Sequence, residues 1–198
     1  MARLASFKCD NARTGTRSEM TELAQLKYPD PMHLKAAVGW IQLGDYDSAN
    51  DELENIRAEW RAHPDVLELR WLIYSHHEQW DACLDITSAM VKMAPDRVVG
   101  WIHKAESLRR ATGGGIEKAK PVLEEAAKLF PDDSMIQYNL ACYCAQLGQM
   151  DAVQEYLDKS YELGDAKQIK LMALDDEDLK PLWGSDFSNR TSATPKSD

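Results

Sequence analysis

One spacing constrains this chain more than any other feature. Ala37, Trp71, Ala105 and Ala141 lie 34, 34 and 36 residues apart, and Trp40, Tyr74, Leu108 and Cys144 keep the same intervals, as do His33, Leu67, Trp101 and Gln137. A second set, Ala49, Cys83, Ala119 and Val153, is spaced 34, 36 and 34, and Leu53, Thr87, Leu123 and Leu157 follow it. The two extra residues therefore fall between the halves of the third unit, where Thr112–Gly115 reads TGGG and supplies a longer turn. One insertion reconciles every column. The chain is four tandem units, and a repeat of this length cannot bury its apolar face alone.

Within each unit, apolar residues recur at i, i+3 or i+4, and i+7, which is helical periodicity. Leu43–Ala49 (LGDYDSA) reads as a junction between two helices: Gly44 stops one, and Asp45 or Asp47 caps the next. Leu147–Val153 (LGQMDAV) repeats it. Pro31, Pro64, Pro95 and Pro131 stand where each new unit begins, with Asp30, Asp65, Asp96 and Asp132 beside them. Proline in a first turn loses no needed donor, and aspartate there complements the helix dipole. The fold class is therefore all-α, with units at about 30–63, 64–97, 98–133 and 134–164.

These columns resemble the tetratricopeptide repeat, a 34-residue helix pair with a small residue, an aromatic, a Gly-x-Tyr-x-x-Ala turn and a closing proline. Ala37, Trp40, Gly44, Tyr46, Ala49 and Leu53 match in the first unit; Leu67, Tyr74, Trp80, Cys83 and Pro95 match in the second. Trp101, Ala105, Leu108, Ala119, Ala126 and Pro131 follow in the third, then Ala141, Gly148, Val153 and Leu157. The resemblance covers about residues 30–164 and implies a right-handed α-α superhelix of four helix-turn-helix units. There are departures: Trp71 stands at a normally small position, Glu78 replaces the turn glycine, and the second helix of unit one is expected to run about two residues long. Residues 165–183 resemble the closing helix and Asp-x-Asp-Leu-x-Pro-Leu tail of some bacterial arrays. Ile169, Leu171, Met172, Leu174, Leu179, Leu182 and Trp183 are expected to cover the last unit's apolar face. Residues 1–17 read as a disordered leader, 18–183 as the repeat domain and 184–198 as a polar, disordered tail. A helix at 18–28 is expected to cap the first unit or mediate dimerisation.

Charge and motifs narrow the function. A net charge of −10 disfavours nucleic acid and anionic membrane surfaces, both of which call for a basic face. Four cysteines in 198 residues are too few for a disulfide scaffold, and with no secretory signal the expected location is cytoplasmic. No phosphate-binding loop, dinucleotide fingerprint, nucleophile elbow or zinc-protease motif occurs. His76 and His77, adjacent on a helix, diverge by about 100° and make a poor metal pair. Asp175–Asp178 lacks the ligand spacing of a calcium loop and reads as a solvated turn or cap. Cys142 and Cys144 point about 200° apart: Cys144 falls in the core column, Cys142 on the opposite side. No cofactor is expected.

The resemblance implies a concave face lined by the first helix of each unit. The candidate partner-binding residues are Val38 and Gln42, Leu72 and His76, Ile102, His103, Glu106, Arg109 and Arg110, then Tyr138, Asn139 and Cys142, flanked by Leu34, Glu68, Ser75 and Gln146. The lysine–asparagine clamp by which some family members hold a terminal carboxylate is absent: its places carry Leu34, Val38, Leu69 and His103. The expected function is a non-enzymatic scaffold or adaptor that holds a peptide or protein in this groove. A secretion-type or assembly chaperone, or a regulatory subunit of an enzyme complex, is the alternative. An enzyme would show itself through perturbed groups such as His103 or Cys142 near Glu106 and Arg109.

Overall fold

The computed structural model describes residues 25–182, and they form helix pairs joined by tight turns. The first pair is α1 (Asp30–Leu43) and α2 (Tyr46–Glu54), and the second is α3 (Pro64–His76) and α4 (Trp80–Met93). Then come α5 (Val98–Arg110) with α6 (Ile116–Leu129), α7 (Ser134–Gln146) with α8 (Met150–Leu163), and a closing helix α9 (Ala166–Asp175). Short 3-10 turns cover Ala58–Trp60 and Glu177–Leu179. Each helix packs mainly on its neighbours in the chain. Among the described residues no helix is long and apolar enough to cross a membrane. The leader, most of the 18–28 helix, Trp183 and the tail lie outside the described residues.

The repeat columns are the core. Ala37, Ala105 and Ala141 are fully buried, as are Ala49, Cys83, Ala119 and Val153; Leu53, Thr87, Leu123 and Leu157 lie beneath them. Small residues let paired helices approach, and the larger column fills the space behind. The column of Cys144 is uneven. Cys144 is buried, Tyr74 and Leu108 are half-buried, and Trp40 is exposed on the first helix of the described array.

Junction chemistry sets the turns. Gly44 and Gly148 take positive φ, and the Asp45 carboxylate caps α2 by accepting from the Ser48 N–H at 2.9 Å. Glu78 takes the same left-handed conformation, φ 56°, without being glycine. In the TGGG turn, a side chain on Gly114 would run into the Leu108 carbonyl, so the loop closes directly on the end of α5. The expected longer second helix of unit one does not occur. Helix α2 stops at Glu54, and the surplus residues form the 3-10 turn. Arg57, freed by that stop, turns back to bind the buried Asp30 carboxylate through its main-chain N–H (2.9 Å) and its guanidinium (2.8 and 2.6 Å).

Trp71 explains how a large residue fits a small position. Its indole reaches into the third unit, stacks on His103 with ring centroids 3.5 Å apart, and donates to Ser107 Oγ at 2.8 Å. Ser107 in turn donates to the His103 carbonyl at 2.7 Å. The aromatic is a strut between units two and three.

Candidate functional site

The residues expected to line the inner side fall by repeat register into three rows. Leu34, Glu68, Ile102 and Tyr138 make one row, and Val38, Leu72, Glu106 and Cys142 the next. Gln42, His76, Arg110 and Gln146 make a third, with Ser75 and Arg109 beside it. These rows behave differently in the two halves of the molecule.

In units one and two they are open. Val38 is 36% exposed, Gln42 and His76 are exposed, and Leu72 and Glu68 are half-buried. The His76 ring stacks on Tyr46 at 3.7 Å, which fixes it at the end of α3. Burial raises the Glu68 carboxyl, partly offset by the Arg97 charge. The strip is mixed, with apolar Val38 and Leu72 between polar Gln42, Glu68 and His76. Ser75 is buried and turns its hydroxyl back to the Leu72 carbonyl.

In unit four the same rows, joined by Arg109 from unit three, meet the chain's own C-terminal segment. After α9 the backbone turns at Asp176 and lays the 3-10 turn against α7. The Arg109 guanidinium grips the Asp178 carboxylate with two hydrogen bonds, 2.5 and 2.6 Å. Tyr138 donates its phenolic proton to Asp176 at 2.7 Å, and the Cys142 Sγ lies 3.7 Å from the same carboxylate. Gln146 donates to the Asp178 carbonyl at 2.8 Å, and Leu179 is fully buried. Burial works against the Arg109 charge, but the Asp178 carboxylate outweighs it and the net shift is upward. Burial, reinforced by the Asp176 and Asp178 charges, pushes the Cys142 thiol well up.

Several sequence expectations change here. Tyr138 and Cys142, expected open to a partner, are each only 3% exposed because the acidic segment sits on them. His103 is buried by the Trp71 stack and held neutral, its pKa lowered by burial to about 3. Glu106 pairs with Arg110, which also lies over the Trp80 ring at 4.8 Å, and Arg109 lies 5.4 Å from the Tyr143 centroid. Asn139 donates back to its own helix at the Met135 carbonyl, and Ile102 packs on the core. Of the residues expected to cover the last unit, Ile169 and Leu179 are buried and Met172 and Leu182 pack on the core, whereas Leu171 and Leu174 are 57% and 48% exposed; Ala173 joins the cover. Asp176 caps the 3-10 turn, as a cap reading of Asp175–Asp178 expects, but the side-chain contacts of Asp176 and Asp178 to Tyr138 and Arg109 are what sequence reasoning missed. The available signal was an acidic pair followed by leucine, in a chain whose third unit ends α5 with two arginines. Among the described residues no group of three or more His, Cys, Asp or Glu is placed to hold a metal.

No protein-family model and no curated protein matches the chain. Solved structures do. TTC0263, a thermophilic TPR protein of Thermus thermophilus, superimposes with a TM-score of 0.63 at 20% identity over 85% of this chain and 93% of that one. The 41-end form of MamA from Desulfovibrio magneticus RS-1 gives 0.59 at 14% identity, over 86% of this chain and 100% of that one. Yeast Tom70 gives 0.62 at 16% identity, over 85% of this chain but only 35% of its own length. With the repeat columns and helix pairs already described, the likeness makes this chain an all-α, right-handed superhelix with the tetratricopeptide-repeat fold.

Proposed function

We propose that the protein is a non-enzymatic interaction module that binds a peptide segment of a protein partner along its inner face, chiefly through units one and two. The observation that supports this most is the contrast between the two ends of the rows: Val38, Gln42 and His76 are exposed, whereas Cys142 is buried beside Asp176 and Gln146 donates to the Asp178 carbonyl. The mixed strip suits a peptide held by small apolar contacts plus a few polar ones. Acid–base or nucleophilic chemistry finds little support at His103 and Cys142, because His103 is stacked and neutral and Cys142 is a buried thiol.

Capture from a lysate of the source organism, comparing wild type with a Leu72→Asp, His76→Glu double variant, tests the reading. Loss of a wild-type partner from the variant, with helicity and melting preserved, supports it. Equal capture by both proteins moves the interface off units one and two.

A further inference from the structure

The covered half of the inner face carries more than a closing function requires. A terminal cap needs apolar surface, and Ile169, Ala173 and Leu179 supply it. The polar contacts are of another kind. Two carboxylates spaced i, i+2 each meet a dedicated side-chain donor: Asp178 meets both arms of Arg109, and Asp176 meets the Tyr138 hydroxyl. Gln146 reads the backbone at the Asp178 carbonyl, and the next residue, Leu179, is fully buried. Asp176 also accepts the Asp178 N–H at 2.9 Å, which fixes the turn that presents both carboxylates to one side. Glu177 and Lys180 face outward and pair with each other at 2.5 Å. A forked guanidinium, a phenol, an amide and an apolar socket together recognise a short sequence, Asp-x-Asp-Leu, rather than generic surface.

We propose that the inner face of units three and four is a receptor for acidic Asp-x-Asp-Leu segments of a partner protein, and that residues 176–179 of this chain occupy it in cis. The occupant is a short segment anchored by Leu179 and Leu182, its Asp178 carboxylate one-quarter exposed, so its release uncovers those two leucines without requiring the helix pairs to separate. An incoming segment of the same pattern competes with the tethered one, whose effective concentration sets the threshold. This rests on the reading of the inner face as a peptide-binding surface, but on a different half of it.

The probe is a fluorescent synthetic peptide, ALDDEDLKPL, matching residues 173–182, titrated into the full chain by anisotropy. An Asp176→Ala, Asp178→Ala variant, with the cis segment weakened, is expected to bind at least ten-fold more tightly than wild type. Adding Arg109→Ala to that variant is expected to lower affinity at least ten-fold, and a peptide with both matching aspartates changed to asparagine is expected to fail on every protein. A second arm needs no variant: excess peptide should accelerate amide exchange across residues 176–182 of the wild type, as the cis segment is displaced. No saturable binding to a folded variant, or no change in wild-type exchange under excess peptide, overturns the proposal. Capture through Leu72 and His76 is unaffected by either result, so failure of the receptor and failure of the interaction module are separate outcomes.

Discussion

Glu78 and His103 show how single residues depart from the repeat pattern and what each departure does. Glu78 stands where two other junctions use Gly44 and Gly148, and it is held at φ 56°. A side chain with a Cβ is strained there by about 1–2 kcal/mol, while glycine gives part of that gain back through a more flexible unfolded chain. Glu78→Gly should therefore stabilise the protein by about 0.5–1 kcal/mol, read as a higher urea midpoint with unchanged slope. An unchanged or lower midpoint would mean that the turn is relaxed by its surroundings. His103 acts through protonation. Its folded pKa, lowered by burial to about 3, lies below the ordinary 6.5. Below pH 6.5 the unfolded chain binds a proton that the folded chain refuses, so stability is full above that pH and falls as pH drops toward 3. Each pH unit in the window removes about 1.4 kcal/mol. Between pH 7 and pH 5 the loss from this group should be about 2 kcal/mol. His103→Phe, which keeps a ring against Trp71, should flatten that part of the profile in paired thermal melts; an equal slope would place the titration elsewhere.

At the scale of helices, the small-residue columns decide how closely pairs pack. Ala141 on α7 is fully buried where α7 meets α8. Ala141→Leu adds volume to a filled interface and should destabilise the array by about 1–3 kcal/mol, measured by denaturant melts. The columns that locate such positions were readable in the sequence because they recur: four copies of one helix pair make a small residue conspicuous. Cys144 falls in a core column, and it is fully buried. What does not recur was not readable. The Arg109–Asp178 contact joins residues 69 apart, one inside the repeat and one beyond it, and no column contains both. Leu171 and Leu174 satisfied helical periodicity on α9 yet face outward, because a cap one helix thick buries only one stripe of its residues. Trp71 was conspicuous as an oversized residue, but its destination, the face of His103 in the next unit, depends on the angle between units. Periodicity says nothing of that angle.

At the scale of the molecule, the buried apolar residues group into two clusters, with Val91 of α4 packing on the larger one. One cluster gathers Ala37, Ala49, Leu53, Ile56, Val66 and Ile73 from units one and two. A larger one runs from Trp101 through α7 and α8 to Leu179. Across the seam run the packing of α4 on α5, the Trp71–His103 stack with its hydrogen bond to Ser107, and the Arg97–Asp65 ion pair at 2.5 Å. Stacked repeats behave as nearest-neighbour arrays, in which the weakest interface sets where cooperativity breaks. The smaller cluster should therefore open at lower free energy than the larger one, and Trp71 should decide how tightly the two are coupled. Trp71→Ala is expected to cost about 3–5 kcal/mol, as for other buried tryptophans. Residue-resolved hydrogen exchange reads where that loss falls: protection in α1 and α2 should drop further than in α7 and α8, where the larger cluster persists without its neighbour. An even drop from α1 to α9 would show a single cooperative unit. The proposed peptide-binding strip of units one and two would then be as rigid as the half that already holds residues 176–179.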